Sequence, residues 1–157
     1  MSILTDELRT QKLEALITPR ELATSSPLTP ELARHILQAR QEIEAILAGN
    51  DQRLLVIIGP CSLHDPEAAL AYARQLAALR LRYADSLCIV MRAYFEKPRT
   101  IIGWKGLIND PYLDGTYNVN AGLTLARQLL HDINSLGVPT ATEFLDMVTG
   151  QYIADLI

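Results

Sequence analysis

The sequence predicts an α/β protein in which strands and helices alternate along the chain, and three observations support this. Short, continuously apolar runs are typical of strands buried on both faces, as in a parallel sheet. A segment with helical spacing of apolar residues follows or precedes each run. Residues able to do chemistry stand directly after the runs. This order favours a (β/α) barrel or a doubly wound sheet.

Length and composition indicate one globular domain. The chain has 157 residues, of which 49% are hydrophobic and 20% charged, and its net charge of −4 argues against general nucleic-acid binding. No apolar run reaches the roughly 18 residues of a transmembrane helix. The first residues lack the basic and apolar parts of a signal peptide, and two cysteines are too few for a disulfide scaffold. We therefore expect a cytoplasmic protein with reduced thiols.

The first part of the chain predicts a helical arm. Apolar spacing over residues 5–17 predicts a short amphipathic helix, and residues 18–30, rich in Thr, Ser and Pro, predict a linker. Thr29 as N-cap and Pro30 as first helical residue then start a longer helix. We expect an arm over residues 1–30 and the main domain over 31–157.

The main domain contains three predicted strand–helix units. Asp65 is the expected N-cap of the first helix after a strand, and Thr149 that of the last helix. The loop predicted over residues 94–118 is long enough to suggest a functional role. The predicted elements are strand 54–58, helix 66–83, strand 87–91, loop 94–118, helix 120–136, strand 139–144 and a final helix.

Three such units are too few for a closed eight-stranded barrel, which needs ~250 residues. The sequence also stops inside a helical pattern, at Leu156 and Ile157, without a capping residue. We therefore expect a truncated chain. Because an incomplete parallel barrel leaves open strand edges, we expect the isolated chain to be poorly folded or aggregation-prone, and inactive.

Cys61 follows Gly59 and Pro60 at the end of the first predicted strand. A thiolate at this position can bind a divalent metal or act as a nucleophile. A buried, inert cysteine is the alternative, since free cysteines are commonly core residues. A metal needs further ligands, and no Cys-x-x-Cys or similar spacing accompanies this residue.

Three cations, Arg92, Lys97 and Arg99, stand at and just beyond the second predicted strand. An arginine binds carboxylate or phosphate through a planar fork, whereas a lysine acts as a point charge. Pro98 stiffens the turn between the last two cations, and Thr100 adds a hydroxyl donor. The pattern indicates a site for anionic, phosphorylated substrates; a solvated loop with scattered charges is the alternative.

Glu143 ends the third predicted strand, and Asp146 follows three residues later. An acid at a strand end is a reasonable catalytic or water-orienting group in such a fold. Asp146 has a second interpretation, as a residue that helps to cap the helix after it.

Together these motifs resemble the 3-deoxy-D-arabino-heptulosonate 7-phosphate (DAHP) synthases, in particular the short bacterial class with an N-terminal arm. The resemblance covers nearly the whole chain and rests on four short sequence segments. Their combination is far more specific than any one of these strings. The strings are Leu54–Leu63 with Gly-Pro-Cys-Ser, Met91–Thr100, Gly103–Ile108 and Glu143–Asp146.

The resemblance implies the N-terminal portion of a (β/α)8 TIM barrel, with about three βα units present. The implied reaction condenses phosphoenolpyruvate with erythrose 4-phosphate and releases phosphate, the first step of the shikimate pathway to chorismate and the aromatic amino acids. It also implies a divalent metal ion with Cys61 as one ligand, the other ligands coming from the second half of the barrel, which this sequence lacks.

The resemblance assigns roles to the residues of these strings. The implied catalytic residues are Lys97 and Glu143, the latter ordering water or polar contacts. Arg92 and Lys97 are the implied phosphoenolpyruvate-binding residues, and the implied contacts to erythrose 4-phosphate are Lys97, Pro98, Arg99 and Thr100.

Residues 140–151 look most like the tryptophan-sensitive form of these synthases, because Gly150 stands where other forms usually have proline. The implied effector residues are Met147, Gly150 and Gln151, with tryptophan as the effector. The resemblance of Asp6 and Glu7 to the arm that helps form the effector site across subunits implies a homo-oligomer.

Two other hypotheses remain open from the sequence. One is a non-catalytic remnant that binds anions or pairs with a full-length subunit. The other is a related phosphoenolpyruvate-condensing synthase acting on another sugar phosphate, which the Lys97–Thr100 string and the arm disfavour.

Overall fold

The structure is a computed structural model that describes residues 13–99 and 101–157. The expectations for Asp6, Glu7 and Thr100 therefore lie outside the described residues. In chain order the elements are α1 (Pro19–Ser25), α2 (Pro30–Leu47), β1 (Leu54–Ile58), α3 (Pro66–Arg82), β2 (Leu87–Arg92), α4 (Val119–Ser135), β3 (Thr140–Ala141), α5 (Gly150–Ile153) and a final 3₁₀ turn (Ala154–Leu156).

The three strands form one parallel sheet in the order β1-β2-β3. Leu54 pairs with Leu87 at the start of the first two strands, and Arg92 pairs with Ala141 at the end of the last two. Helices α3 and α4 provide the crossovers that parallel neighbours require. The carboxyl ends of all three strands therefore meet at one edge of the sheet, where the candidate site residues follow them.

The core lies where helix α4 packs against α2, α3 and α5. The side chains of Leu123, Leu130 and Ile133 on α4 are at most 2% exposed, and they join Met91 of β2 in the same buried cluster. Within the described ranges, no helix combines the length and apolar character needed to cross a membrane.

Strand β1 is less covered than the sequence predicts. Leu54 is 65% exposed, Ile57 55% and Ile58 45%, whereas β2 buries its residues from Cys88 to Met91. In the described part of the chain, β1 pairs only with β2, so it forms an open edge of the sheet. The prediction that β1 is buried on both faces is wrong for this chain, because no described residues cover its outer side.

The segment expected to be a linker contains helix α1. The Thr18 side chain accepts a hydrogen bond from the backbone N–H of Glu21 at 3.2 Å, and the Glu21 carboxylate accepts from the Thr18 N–H at 2.8 Å. This reciprocal capping box, with Pro19 as first helical residue, starts the helix. Conversely, residues 13–17 are not helical, and the rest of the predicted first helix lies outside the described residues.

The arm is held by two polar side chains of the main domain. The Asn120 side chain accepts from the N–H of Ile17 at 2.8 Å and donates to the carbonyl of Ala15 at 3.0 Å. The hydroxyl of Tyr152 donates to the carbonyl of Ile17 at 2.7 Å. These three bonds fix residues 15–17 against α4 and α5.

The predicted starts of α2 and α3 are confirmed. The Thr29 hydroxyl oxygen accepts from the N–H of Leu32 at 3.2 Å. The Asp65 carboxylate accepts from the N–H groups of Glu67 and Ala68 at 2.9 and 3.2 Å. Both residues therefore satisfy first-turn donors, as their sequence positions predict.

The third strand and the last helix are shorter than predicted. Strand β3 ends at Ala141, and α5 ends at Ile153 before the 3₁₀ turn. Thr149 occupies the N-cap position, but its side chain makes no capping hydrogen bond. Instead, the Asp146 carboxylate accepts from the N–H groups of Val148 and Thr149 at 2.8 and 2.7 Å. The capping interpretation of Asp146 is the one that the structure shows.

A buried arginine, which the sequence analysis did not single out, connects three elements. Arg127 of α4 is 1% exposed. It donates to both carboxylate oxygens of Asp155 at 2.7 and 2.8 Å, to the carbonyl of Tyr152 at 2.8 Å and to the carbonyl of Ser26 at 3.0 Å. It thereby ties the end of α1 and the last helical turns to α4.

Candidate functional site

The end of β1 passes very close to the end of β2. A Cβ atom at Gly59 would lie only 2.6 Å from the carbonyl oxygen of Arg92 and 3.1 Å from its nitrogen. Only glycine allows this approach, since any larger residue would push the two segments apart. The approach brings the next residues, Pro60 and Cys61, to the side chains at the end of β2.

Cys61, Lys97 and Arg92 meet at this edge. The Lys97 ammonium donates to the Cys61 carbonyl at 2.6 Å and contacts the Cys61 sulfur at 3.0 Å. One terminal nitrogen of Arg92 lies 3.4 Å from the same carbonyl oxygen. The structure thus places the thiol and two of the three predicted cations in one group, at the carboxyl end of the sheet.

The cations change the acidity of the thiol. The hydrogen bond from Lys97, and then its charge, lower the pKa of Cys61 below its ordinary value, and Arg92 and Arg99 add smaller contributions. The residue is exposed, so the alternative of a buried, inert cysteine is wrong for Cys61. Cys88 is the buried cysteine, and desolvation raises the pKa of its thiol.

The thiol acidity gives a direct test of this geometry. In a full-length protein that carries this chain, we expect Lys97→Met to return the pKa of Cys61 towards its ordinary value, so that alkylation of Cys61 by iodoacetamide at neutral pH becomes about threefold slower or more. Well above the ordinary thiol pKa the two rates should converge, because both proteins are then fully thiolate. Lys105→Met, at an exposed lysine outside the group, is the control; equal rates for Lys97→Met and the parent would contradict the contact.

The Arg92 guanidinium has one N–H group, at Nε, for which the described residues supply no acceptor. Its guanidinium stacks on the Tyr94 ring, with the central carbon 3.7 Å from the ring centroid. Its Nε is buried and has no hydrogen-bond partner within the described part of the chain. Because a buried donor without a partner is costly, this geometry favours an anion that accepts from the guanidinium.

The backbone that carries Lys97 is fixed by the long loop. The Lys97 N–H donates to the carbonyl of Lys105 at 2.9 Å, and Glu96 forms an antiparallel bridge with Gly106. Gly106 has a φ of 116°, and a Cβ there would lie 2.1 Å from the Phe95 carbonyl oxygen. A glycine is therefore required for the loop to dock against the strand end.

The other predicted substrate residues are more open. Pro98 and Arg99 are exposed, and the Arg99 side chain lies over Gly103, where a Cβ would be 2.9 Å from its Cδ. Glu143 is exposed two residues beyond the end of β3, and no hydrogen bond or ion pair holds it among the described residues. The structure brings neither Glu143 nor Arg99 into direct hydrogen-bond contact with the Cys61 group.

The predicted effector residues lie on the segment after β3. Met147 is 91% exposed and Gln151 is also exposed. A Cβ at Gly150 would meet only the ring of Phe144, at an ordinary 3.4 Å. This surface is open to a ligand or a partner.

The described residues do not by themselves make a metal centre. Cys61 can supply one thiolate ligand, but no group of three or more His, Cys, Asp and Glu side chains comes together within residues 13–99 and 101–157. Because a protein-bound transition metal needs three or four such ligands, the part of the chain described here does not fit one alone.

Sequence reasoning missed two residues of the site. Tyr94 stands two positions after Arg92, and the two-residue period of extended chain could have indicated their contact. Glu96 carries no such signal, because its side-chain partner Asn109 and its backbone partner Gly106 lie further along the loop.

Most of the chain, residues 29–157, matches the family of DAHP synthetase I. The chain belongs to this family. It is 67% identical over 153 residues to the Trp-sensitive phospho-2-dehydro-3-deoxyheptonate aldolase of Enterobacter agglomerans, and the alignment covers 98% of this chain and 44% of that protein. The enzyme of the same description from Escherichia coli K12 is 65% identical with the same coverage.

A solved structure agrees with this membership. The phospho-2-dehydro-3-deoxyheptonate aldolase from Francisella tularensis SCHU S4 superimposes with a TM-score of 0.90 at 50% identity, and the match covers 94% of this chain and 43% of that one. The predicted fold class, the N-terminal portion of a (β/α)8 barrel, is confirmed. The chain spans less than half the length of these relatives of the DAHP synthetase I family.

Proposed function

We propose that the protein carrying this chain condenses phosphoenolpyruvate with erythrose 4-phosphate to DAHP and phosphate. The observation that carries the proposal is the group at the sheet edge, where Lys97 and Arg92 surround Cys61 and the buried Arg92 Nε has no partner among the described residues. Membership of the DAHP synthetase I family and the Trp-sensitive relatives support it. The proposal includes a cytoplasmic location, in keeping with the two free cysteines.

The proposed roles follow from charge and geometry. Arg92, flattened on Tyr94, offers its planar edge to the carboxylate or phosphate of phosphoenolpyruvate. Lys97 supplies a point charge between the two substrates, and the exposed Arg99, next to Pro98 and Thr100, holds the phosphate of erythrose 4-phosphate. Fixed cations offset the repulsion between two anionic substrates and hold them close enough to react.

Glu143 and Cys61 complete the proposal. Glu143 is free to order water or a polar substrate group, because no described residue engages its carboxylate. Cys61 is proposed as one ligand of a divalent metal ion, with the others supplied by residues outside this chain; such an ion polarises a carbonyl group. The binding and orientation of both anions are carried by the cations of this chain.

A chimera tests the proposed activity. In it, this chain replaces the corresponding N-terminal region of the Enterobacter agglomerans relative, whose remaining sequence completes the protein. We expect the chimera to release phosphate from phosphoenolpyruvate only when erythrose 4-phosphate is present, and the isolated 157-residue chain to be inactive. A folded chimera without turnover, or turnover with other sugar phosphates at equal rate, would count against the proposal.

We also propose tryptophan as effector and a homo-oligomer as the working assembly. The exposed Met147 and Gln151 and the open surface at Gly150 support an effector site on the segment after β3. The Trp-sensitive relatives are consistent with it. Inhibition of the chimera by phenylalanine and not by tryptophan would contradict the effector assignment.

The open edge of β1 favours a second candidate, a non-catalytic remnant that pairs with a full-length subunit. Its exposed Leu54, Ile57 and Ile58 form a surface that a partner could cover. A chimera with turnover would favour the synthase over this remnant.

A further inference from the structure

We propose that Tyr94 is a positioning residue, whose ring holds the Arg92 guanidinium in the orientation in which it binds phosphoenolpyruvate. This inference deepens the proposed function and rests on it for the identity of the anion. It starts from the end of β2, where the last residue of the strand is an arginine and an aromatic residue follows two positions later.

The backbone at the end of β2 is fixed from two sides. The N–H of Leu63, in the loop after β1, donates to the Tyr94 carbonyl at 2.9 Å. From the other side, the N–H of Ala93 donates to the carbonyl of Ala141 at 2.8 Å. Leu63 is 2% exposed and Ala93 is fully buried. The freedom that remains to Arg92 and Tyr94 is therefore that of their side chains.

The hydrogen bonds of the described chain do not fix the direction of the Arg92 side chain. Among the described residues it makes a single hydrogen bond, from one terminal nitrogen to the Cys61 carbonyl at 3.4 Å, which is long for such a bond. Its Nε is buried without a partner there. A long, flexible arginine side chain loses much rotamer freedom when a ligand orders it. Another contact must therefore hold it before the anion binds.

The Tyr94 ring is that contact. The central carbon of the Arg92 guanidinium lies 3.7 Å from the ring centroid, so the group rests on the face of the ring. At this distance the guanidinium plane lies along the ring, because a nitrogen directed into the ring would come too close to it. The N–H groups then point outwards within that plane, as a planar fork requires for a carboxylate or phosphate. The ring fixes the plane and occupies none of these donors.

The contact depends on the ring face of Tyr94 and not on its hydroxyl. Tyr94 is half-buried, and its hydroxyl makes no hydrogen bond to the residues that the structure describes. Phenylalanine would therefore keep the contact, whereas leucine would keep apolar bulk and lose the aromatic face. Because a side chain that is already held binds its ligand with less loss of rotamer freedom, the ring should raise the affinity for phosphoenolpyruvate.

The chain offers a matched control for this pair. Arg82 lies over the ring of Tyr83, with its central carbon 5.3 Å from the centroid. This second arginine–tyrosine pair stands at the end of α3, before β2 begins and thus at the opposite edge of the sheet from the candidate site. Loss of the Tyr83 ring removes the same kind of contact without touching Arg92.

The test measures binding of phosphoenolpyruvate to the chimera by isothermal titration calorimetry. We expect Tyr94→Leu to raise the dissociation constant about fivefold or more, through loss of the cation–aromatic contact and of the preorganisation that it provides. Tyr94→Phe should bind within about twofold of the parent, since the ring face is kept. Tyr83→Leu should leave the affinity unchanged. Equal affinity of Tyr94→Leu and the parent overturns the proposal.

A second experiment separates positioning of Arg92 from a general loss of structure. Tyr94→Leu is combined with Arg92→Lys, since a lysine carries a point charge and has no plane for the ring to orient. We expect the effect of Tyr94→Leu on affinity to fall below about twofold in this background, the non-additivity of two residues that act as one unit. The same loss of affinity in both backgrounds overturns the proposal, because Tyr94 would then act independently of the guanidinium.

Steady-state kinetics provide a third readout. Tyr94→Leu should raise the KM for phosphoenolpyruvate about fivefold, with kcat and the KM for erythrose 4-phosphate little changed, as expected for lost binding of one substrate. An equal rise of both KM values overturns the proposal. A parent chimera that binds phosphoenolpyruvate without turnover would refute the proposed reaction, while the titrations would still decide the role of Tyr94. A parent that does not bind phosphoenolpyruvate would refute both.

Discussion

Replacing Lys97 by methionine in the chimera is expected to lower kcat/KM for DAHP formation by about 10²–10³-fold, the loss that follows removal of one preorganised group stabilising transition-state charge. The ammonium contacts both the carbonyl and the sulfur of Cys61, so it stands where the two anionic substrates of the proposed reaction must meet. Methionine keeps the length of the side chain but removes its charge. Lys97→Arg should recover only part of the rate, because a planar fork does not reproduce a point charge in this contact.

The measurement is steady-state release of phosphate with both substrates varied in turn. Lys105→Met is the matched control, since Lys105 is an exposed lysine whose backbone carbonyl, rather than its side chain, accepts from the Lys97 N–H. Thermal unfolding of each variant separates loss of chemistry from loss of fold. A Lys97→Met chimera within tenfold of its parent would show that Lys97 is not at the reacting centre, although the family membership of the chain would be unaffected.

The positions of the strands and the main helices were predictable because their signals are local. Continuous apolar runs mark β1 and β2, and Thr29 and Asp65 mark helix starts through hydrogen bonds to residues two or three positions ahead. Helix α1 is not predicted, because a segment rich in Thr, Ser and Pro is typical of a linker, although Thr18 and Glu21 form a capping box with Pro19 as the first helical residue. Exposure of β1 could not be predicted, since burial depends on what the rest of the fold supplies.

The centre of the candidate site was predictable for a topological reason. Strands that are parallel and adjacent bring the residues after them to one edge, so the places of Cys61 and Arg92 after two successive strands are enough to bring them together. Glu96 was not predictable in the same way. Its surroundings are set by a loop bridge to Gly106 and by a turn about fifty residues later, neither of which has a sequence period.

Arg127, in the core, was also not predictable from the sequence. Of the substitutions proposed here, its replacement should lower the free energy of unfolding most. Arginine within an amphipathic helix usually indicates a solvent-exposed position, yet Arg127 is 1% exposed because its partners come from distant parts of the chain: Ser26, Tyr152 and Asp155. We expect Arg127→Met to lower the free energy of unfolding of the chimera by about 3 kcal/mol, through loss of a largely buried ion pair and of two carbonyl acceptors left without their donor.

The effect should fall at the lower end of the range for buried pairs, because the Asp155 side chain is 42% exposed and can regain water when its partner is removed. Asp155→Asn should therefore cost less than Arg127→Met, since the asparagine oxygen still accepts from the guanidinium. Urea unfolding followed by circular dichroism measures both, with Arg74→Met, at an exposed position of α3, as the matched control. If Arg127→Met is as stable as Arg74→Met, the guanidinium does not hold the end of α1 and the last turns to α4, and other contacts, such as the bond from the Tyr152 hydroxyl to Ile17, must do so.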